Sequence, residues 1–516
     1  MARKKFDPVT LEVLWGRLVS MVDEASATFV RTSFSTLVRE ANDYAVVLTD
    51  TQGRSLAQSS LSIPSFIGTL PRTVKHFLDV YPLETLKPGD VLITNDPWMG
   101  TGHVHDISIA RPIFRNGKPV AFAAVTSHMP DIGGRIRGSG IREIFEEGIQ
   151  IPRLKLMHAG KPDRAVVEMI ERNVRVPAQT MGDIWGEVAA CQMLEERLIG
   201  LLDETGVDLP ALGEEVRTRS EKAMREAIRA VPDGDYRYVV QHDGFEEPIT
   251  IDCKVKIKGT NLSIDYSGSS PQLARSVNVV PIYTFAYSAY AVKALLSPEI
   301  PNNEGSFLPV STWAPEGTIF NPRYPAASGA RGMIGHMMVP AIMGALAKVL
   351  ADRVLAEGSA NSSFTMTGEH QGRLYAVVNF LNAGQGANAT RDGQSTLSFP
   401  SNLGNTPIEV MEALAPIRVH HRSMNRGSNG KGKHDGGLGL SLGFDFIGDH
   451  PALCSFIMTR IRIPPRGLMG GGGGKAGRVL VNGKTVDVAE HQELKKGDRI
   501  LMETAGGGGF GKPARS

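Results

Sequence analysis

From Thr10 the apolar positions Leu11, Leu14, Leu18, Met21, Val22, Ala25 and Phe29 recur at three- and four-residue steps. This spacing predicts an amphipathic helix with Thr10 as its N-cap. The pattern then changes. Tyr44 to Asp50, Val91 to Asp96 and Val120 to Met129 are short apolar or alternating runs that end in polar residues, as expected of strands delivering side chains at their C-terminal ends. Helical periodicity returns from about Gln179 to Ala230, and "VPDGDY" breaks it with Pro and Gly. A hairpin follows, with Ile249, Ile251, Cys253, Val255 and Ile257 alternating up to the turn "KGTN" and Leu262, Ile264 and Tyr266 after it. One more helix is predicted over Gly335 to Val354, with Pro340 either in its first turn or kinking it. The remainder reads as strands and Gly-rich loops. The fold class expected is therefore α+β with mixed sheets: residues 1–230 form an N-terminal helix and a candidate metal-binding α/β region, and residues 231–516 form a β-rich region ending in Gly-rich loops.

Composition narrows the partners. A length of 516 residues allows sizeable cores. With 56 Lys+Arg against 54 Asp+Glu, the formal charge of +2 recommends neither nucleic acid nor an anionic membrane surface. Cys191, Cys253 and Cys454 are far apart and form no C-x-x-C, so neither a disulfide framework nor a thiolate zinc site is indicated. The basic start is followed by charged, amphipathic sequence without the apolar core of a signal peptide, and no apolar run is long enough to span a bilayer. A soluble, cytoplasmic protein is expected.

Candidate chemistry concentrates in "TNDPWMGTGHVHDI", Thr94 to Ile107. It is a post-strand loop in which His103 and Asp106 stand three apart, a step that brings an imidazole and a carboxylate to one point as ligands for Zn, Mn or Fe. In "SHMPDIGG", His128 and Asp131 repeat the step twenty-five positions later. If the strands leading to these segments are neighbours, the two polar ends meet at one edge of the sheet, and Asp43, just ahead of a third strand, adds a carboxylate. A site of Asp43, His103, Asp106 and His128 suits Zn or Mn and keeps a position open for water. The competing reading is a polar turn, since Asn-Asp-Pro starts turns by itself. On that reading Asp96 and His105 are turn residues; on the other they orient the ligands.

"LMGGGGGKAG" (468–477) invites comparison with a phosphate-binding loop, but in the G-x-x-x-x-G-K-[ST] pattern the first glycine falls on Met469 and the Ser/Thr on Ala476. Close backbone packing that only glycine permits is the better reading.

"NDPWMGTGHVHDI" and "SHMPDIGG", followed in order by "IDYSGSSPQ", "IPNNEGSF", "GQGANATRDGQSTLSFPSNLGNTPIEVME", "GGLGL" and "GDRILMETAGGGGFGKP", resemble the hydantoinase B/oxoprolinase family along nearly the whole chain. The resemblance implies a subunit of an ATP-dependent cyclic amide hydrolase acting on a hydantoin, oxoproline or other lactam, with a subunit of an acetone or acetophenone carboxylase as the alternative. A non-catalytic assembly subunit is a third possibility. It also implies a hydantoinase A type partner that binds ATP and Mg²⁺ and phosphorylates the substrate oxygen, in a hetero-oligomer such as a dimer of heterodimers. The family's metal ligands carry over to Asp43, His103, Asp106 and His128, whose ion would generate hydroxide at neutral pH. Asp131 is the candidate base or substrate contact. Arg331 and the basic segment 420–434 depart from the family's usual composition. They are candidates for binding an anionic group of substrate or the partner, with a solvated loop the default. The length of 516 residues, without the long extension of the corresponding acetone carboxylase chain, weighs against carboxylation.

Overall fold

The computed structural model describes residues 6–360 and 362–513; the basic start at residues 1–5 lies outside them. The first helix, Pro8–Thr32, buries Leu11, Leu14, Leu18, Met21, Val22, Ala25 and Phe29, the face its periodicity predicts. Its cap is Asp7, not Thr10: Asp7 Oδ1 accepts from Val9 N and Thr10 N at 3.1 and 3.0 Å, and Pro8 occupies the first position, where a missing N–H costs nothing.

The strands Tyr44–Asp50 (β1), Ser55–Gln58 (β2), Val91–Thr94 (β3), Asp106–Arg115 (β4), Lys118–His128 (β5), Leu154–His158 (β6) and Lys161–Pro162 (β7) form one antiparallel sheet in the order β2-β1-β5-β4-β3-β6-β7. Successive side chains alternate between its faces. Val46, Leu48, Ile107, Ile109 and Val125 pack under Pro8–Thr32 and the helix Pro177–Thr205. Ala45, Val47, Ala110, Phe122 and Ala124 face the helix Thr69–Leu78 together with Val378 and Phe380 from the C-terminal part. Because both faces are covered, β1 is buried throughout, and its apolar run shows no alternation.

The strands β3 and β5 are not neighbours. β4, whose sequence "DISIARPIFR" lacks a clean strand pattern, lies between them. The helical block comprises Arg164–Asn173, Pro177–Thr205 and Leu209–Arg229. The predicted hairpin is Ile249–Lys258 with Asn261–Asp265, flanked in the same sheet by Gly234–His242 and Val310–Trp313. Pro340 lies in the first turn of Met338–Leu346, which ends well before Val354. An unpredicted helix, Pro281–Leu296, is buried around most of its circumference, so its sequence carries no amphipathic period. Two further antiparallel sheets complete the C-terminal part.

The Gly-rich segments form a backbone-to-backbone layer. Gly507 N donates to Gly437 O (2.9 Å), Gly509 N to Gly472 O (2.9 Å) and Gly430 N to Gly507 O (2.8 Å). A Cβ on Gly507 would lie 1.9 Å from Gln385 O, and one on Gly471 2.2 Å from Gly509 O. In the 468–477 loop the N–H groups of Gly471, Gly472, Gly474, Lys475 and Gly477 are consumed by protein carbonyls and do not form a phosphate cradle. Cys191, Cys253 and Cys454 are buried free thiols. Among the described residues no helix is long and apolar enough to cross a membrane.

Candidate metal centre

Register and parity assemble the site. β4 runs antiparallel to β5 with Asp106 opposite His128, and β1 flanks β5 with Tyr44 opposite Ser127. His128 N donates to Asp43 O at 3.1 Å, extending that ladder by one step. Counting by twos, Asp106 shares a face with Ala110, His128 with Ala124 and Phe122, and Asp43 with Ala45 and Val47. The start of β4, the end of β5 and the residue before β1 therefore present their polar side chains at one end of one face.

There, His103 Nε2 lies 2.7 Å from Asp106 Oδ1, and His128 Nδ1 lies 3.2 Å from each of them. The ligand atoms of these three buried residues lie within 4.8 Å of one another, a spacing suited to one ion. Gly329 O lies 3.2 Å from His103 Nδ1, placed to accept its proton in the tautomer whose Nε2 would ligate an ion. The second oxygen of Asp106 accepts from Thr101 Oγ1 and from Arg331 Nη2 (2.8 Å). Asp43 lines the same cavity of about 50 Å³ but stands apart from the three-residue cluster, and it is buried. The donor set of two imidazoles and a carboxylate, with a second buried carboxylate beside it, fits a divalent Zn, Mn or Fe ion.

The electrostatics agree with ligation. Burial, then the charge of Arg331, holds His103 well below its ordinary pKa, so the imidazole is neutral and its lone pair available. Burial pushes the Asp106 carboxyl up, but the charge of Arg331 and the hydrogen bond from His128 are among the interactions that overcome it and hold the group well below the usual carboxylate range. Burial, then the charge of Asp106, raises Asp43 to about 7.

The other sequence candidates fall outside this cluster. His105 is buried and stacks on His128, ring centroids 5.6 Å apart and 9° from coplanar, with its Nδ1 unpartnered among the described residues. Asp96 is a turn residue whose Oδ1 accepts from Trp98 N and Met99 N. Asp131 is not brought into the cavity: its Oδ1 is 2.7 Å from Arg175 Nη1, and its Oδ2 accepts from Arg175 N. Arg331 is no solvated loop residue. At 5 % exposure it is fixed by Asp106 and by Thr101 O (3.0 Å), and its guanidinium carbon lies 4.4 Å from the centroid of the Tyr283 ring. In the basic segment, residues up to Asn425 belong to the strand Ile417–Asn425, and the rest joins the glycine layer.

Sequence reasoning passes over Arg137, Tyr283, His336 and Glu147. The first three line the cavity. Arg137 is detectable as a cation in the Gly-dense stretch after His128; Tyr283 lies on the unpredicted helix. Glu147 Oε1 accepts from the backbone N–H groups of Ser328 and Gly329, the segment whose carbonyl orients His103. Burial raises its carboxyl from 4.5 to about 7. Between those values the folded chain holds a proton that the unfolded chain has released. Glu147 therefore contributes stability that is present below pH 4.5 and lost as the pH rises through 7, on the order of 3 kcal/mol at 1.36 kcal/mol per unit. Glu147→Gln is expected to remove this component. Urea midpoints for wild type and variant, in chelator at pH 5 and pH 7.5, check it; parallel pH dependences would refute the assignment.

A family model for hydantoinase B/oxoprolinase matches residues 7–513. The B-type component of a putative D-/L-hydantoinase from Pseudomonas sp. (strain NS671) is 28% identical, over 99% of this chain and 91% of that protein. The crystal structure of the ATP-dependent caprolactamase from Pseudomonas jessenii matches at a TM-score of 0.88 and 26% identity, covering 99% of this chain and 92% of that one. A nucleotide-free acetone carboxylase structure matches at a TM-score of 0.89 and 21% identity, over 98% of this chain and 76% of that one; this likeness is one of fold.

Proposed function

The chain belongs to the hydantoinase B/oxoprolinase family, and from that premise we propose that it is the metal-binding subunit of an ATP-dependent hydrolase of cyclic amides. The observation that carries the proposal is the convergence of His103 Nε2, Asp106 Oδ1 and His128 Nδ1, all three buried, in one cavity. These residues, with Asp43, would hold a divalent Zn, Mn or Fe ion. Such an ion supplies a means of lowering the pKa of water from 15.7 towards about 7, sparing the site a strongly basic side chain.

The chain's own residues do the rest. Gly329 O is placed to accept the His103 Nδ1 proton, and Thr101 with Arg331 holds Asp106 in one orientation. Burial of His103, Asp106 and His128 strengthens the charge interactions among them. Asp131 enters as a positioning residue: with both oxygens engaged by Arg175, it pins the turn that follows His128. A lactam or hydantoin carbonyl is a poor electrophile through amide resonance, and phosphorylation of its oxygen turns it into an imidate-like phosphate with a good leaving group. That step belongs in this proposal to an A-type partner that binds ATP and Mg²⁺. It fits a chain whose Gly-rich loop has spent its N–H groups on its own backbone. Relatives named as a B-type hydantoinase component and as an ATP-dependent caprolactamase support such a division; the assembly proposed is a hetero-oligomer such as a dimer of heterodimers.

The test is reconstitution with the A-type partner, following phosphate release with hydantoin, 5-oxoproline, or acetone plus bicarbonate. Release with a cyclic amide, and none from this chain alone, is expected. Release that needs both ketone and bicarbonate would instead assign a ketone carboxylase. Full turnover by a partner without this chain would reduce it to an assembly role.

A further inference from the structure

Two guanidinium groups wall the metal cavity inside the protein, and one lacks a bound anion. Arg331 is paired with Asp106 Oδ2. Arg137 donates through Nε to Gly329 O at 2.9 Å, while its Nη1 is buried without a hydrogen-bond partner among the described residues. Both side chains line the cavity with Asp43, Asp106, His103 and His128. Two arginines offset two carboxylates, so a divalent ion would leave the cavity with an excess of positive charge. A buried guanidinium nitrogen without a partner is costly unless an anion completes it. Its planar fork of N–H donors matches the oxygens of a phosphoryl or carboxylate group. The volume of about 50 Å³ suits a compact oxyanion.

We propose that Arg137 and Arg331 form an oxyanion site in the wall of the metal cavity, which receives the phosphoryl or carboxylate oxygens of the substrate. Arg331, braced by Asp106, Thr101 O and the Tyr283 ring, is its fixed arm. Arg137, tied down through Nε, is the arm left to close on the ligand. The proposal rests on the hydrolase reading for the identity of the substrate, but the anion site itself stands on the two arginines.

The experiment is titration calorimetry of the full chain, metal-loaded and chelated, with inorganic phosphate and with acetate as probes, alongside metal analysis of the same samples. Saturable binding to wild type is expected, weakened at least about ten-fold in Arg137→Gln, the loss expected for one charged hydrogen bond. Arg72→Gln, a guanidinium lining a separate cavity, serves as the control and leaves binding unchanged. Should Arg137→Gln fail to fold, Arg137→Lys, which keeps the charge but not the fork, carries the test with a smaller loss. Tighter phosphate binding assigns the phosphoryl source, and tighter acetate binding the carboxylate source. Stoichiometric metal with no saturable anion binding, or with equal affinity in wild type and both Arg137 variants, overturns the oxyanion site and leaves the metal reading standing. Anion binding that depends on Arg137 in a chain that takes up no metal does the reverse.

Discussion

Asp106→Ala is expected to abolish metal binding and to destabilise the chelated protein by about 3–5 kcal/mol, the penalty for stranding a buried charge. One oxygen of Asp106 meets His103 and His128, and the other meets Thr101 and Arg331. The carboxylate is 2 % exposed and Arg331 5 %, so no solvent replaces the lost partner. Asp106→Asn keeps the shape and one acceptor oxygen, and is expected to fall between wild type and alanine. Urea unfolding in chelator isolates the ion pair from ligand-linked stability. A midpoint for Asp106→Ala that implies a loss below about 1 kcal/mol would show that Arg331 finds another partner, and the hub role would be wrong.

The double variant His103→Ala, His128→Ala is expected to lower metal affinity by at least about 100-fold, since loss of a single outer-shell partner already costs about 10- to 100-fold. Phosphate release coupled to cyclic amide hydrolysis should fall to the background of the A-type partner. The fold should suffer less than in Asp106→Ala, because both imidazoles are neutral and Arg331 keeps its carboxylate. Metal analysis and unfolding on the same preparation separate the two effects. Unchanged metal content together with unchanged turnover would remove the metal centre from the mechanism.

Much of this site is legible in the sequence because strand geometry is written in a period of two. Asp43 and His128 flank or end apolar runs, so their placement at strand ends follows from sequence; Asp106 reads there only as part of a post-strand loop. The reason they meet does not. Sequence suggests that the polar segments at Thr94–Ile107 and His128 converge through neighbouring strands, whereas β4 intervenes and places Asp106 opposite His128 in register. This strand escapes pattern reading because "DISIARPIFR" carries Arg111 and Pro112 amid its apolar positions, so it does not alternate cleanly. Pro281–Leu296 escapes for the opposite reason: apolar residues around most of the helix erase the 3.6-residue signal, and Tyr283 is lost with it.

Asp96 and His105 show how far local chemistry reaches. An aspartate followed by proline starts a turn wherever it stands, and Asp96 does so here. His105 lies between two proposed ligands in sequence, yet stacks on His128 instead of joining the cluster, an outcome set by the path of the loop. Arg331 and Arg137 are beyond any spacing rule. They come from segments 225 and 31 residues away from Asp106, and a cation in a Gly-rich segment reads as solvated until packing buries it, as it does Arg331, or half-buries it, as it does Arg137.

The sequence by itself determined the first helix, the buried strands β1 and β5, the glycine segments that tolerate only backbone contact, and the residue types able to hold an ion, because each rests on local periodicity or on the chemistry of one side chain. Only the tertiary structure decided which of those residues share a cavity, that a backbone carbonyl stands against His103 Nδ1, and that Arg137 lines the site with a guanidinium nitrogen left without a partner among the described residues. Those properties depend on burial and on contacts between segments far apart in the chain, where desolvation sets the charge of every group and no local pattern records it.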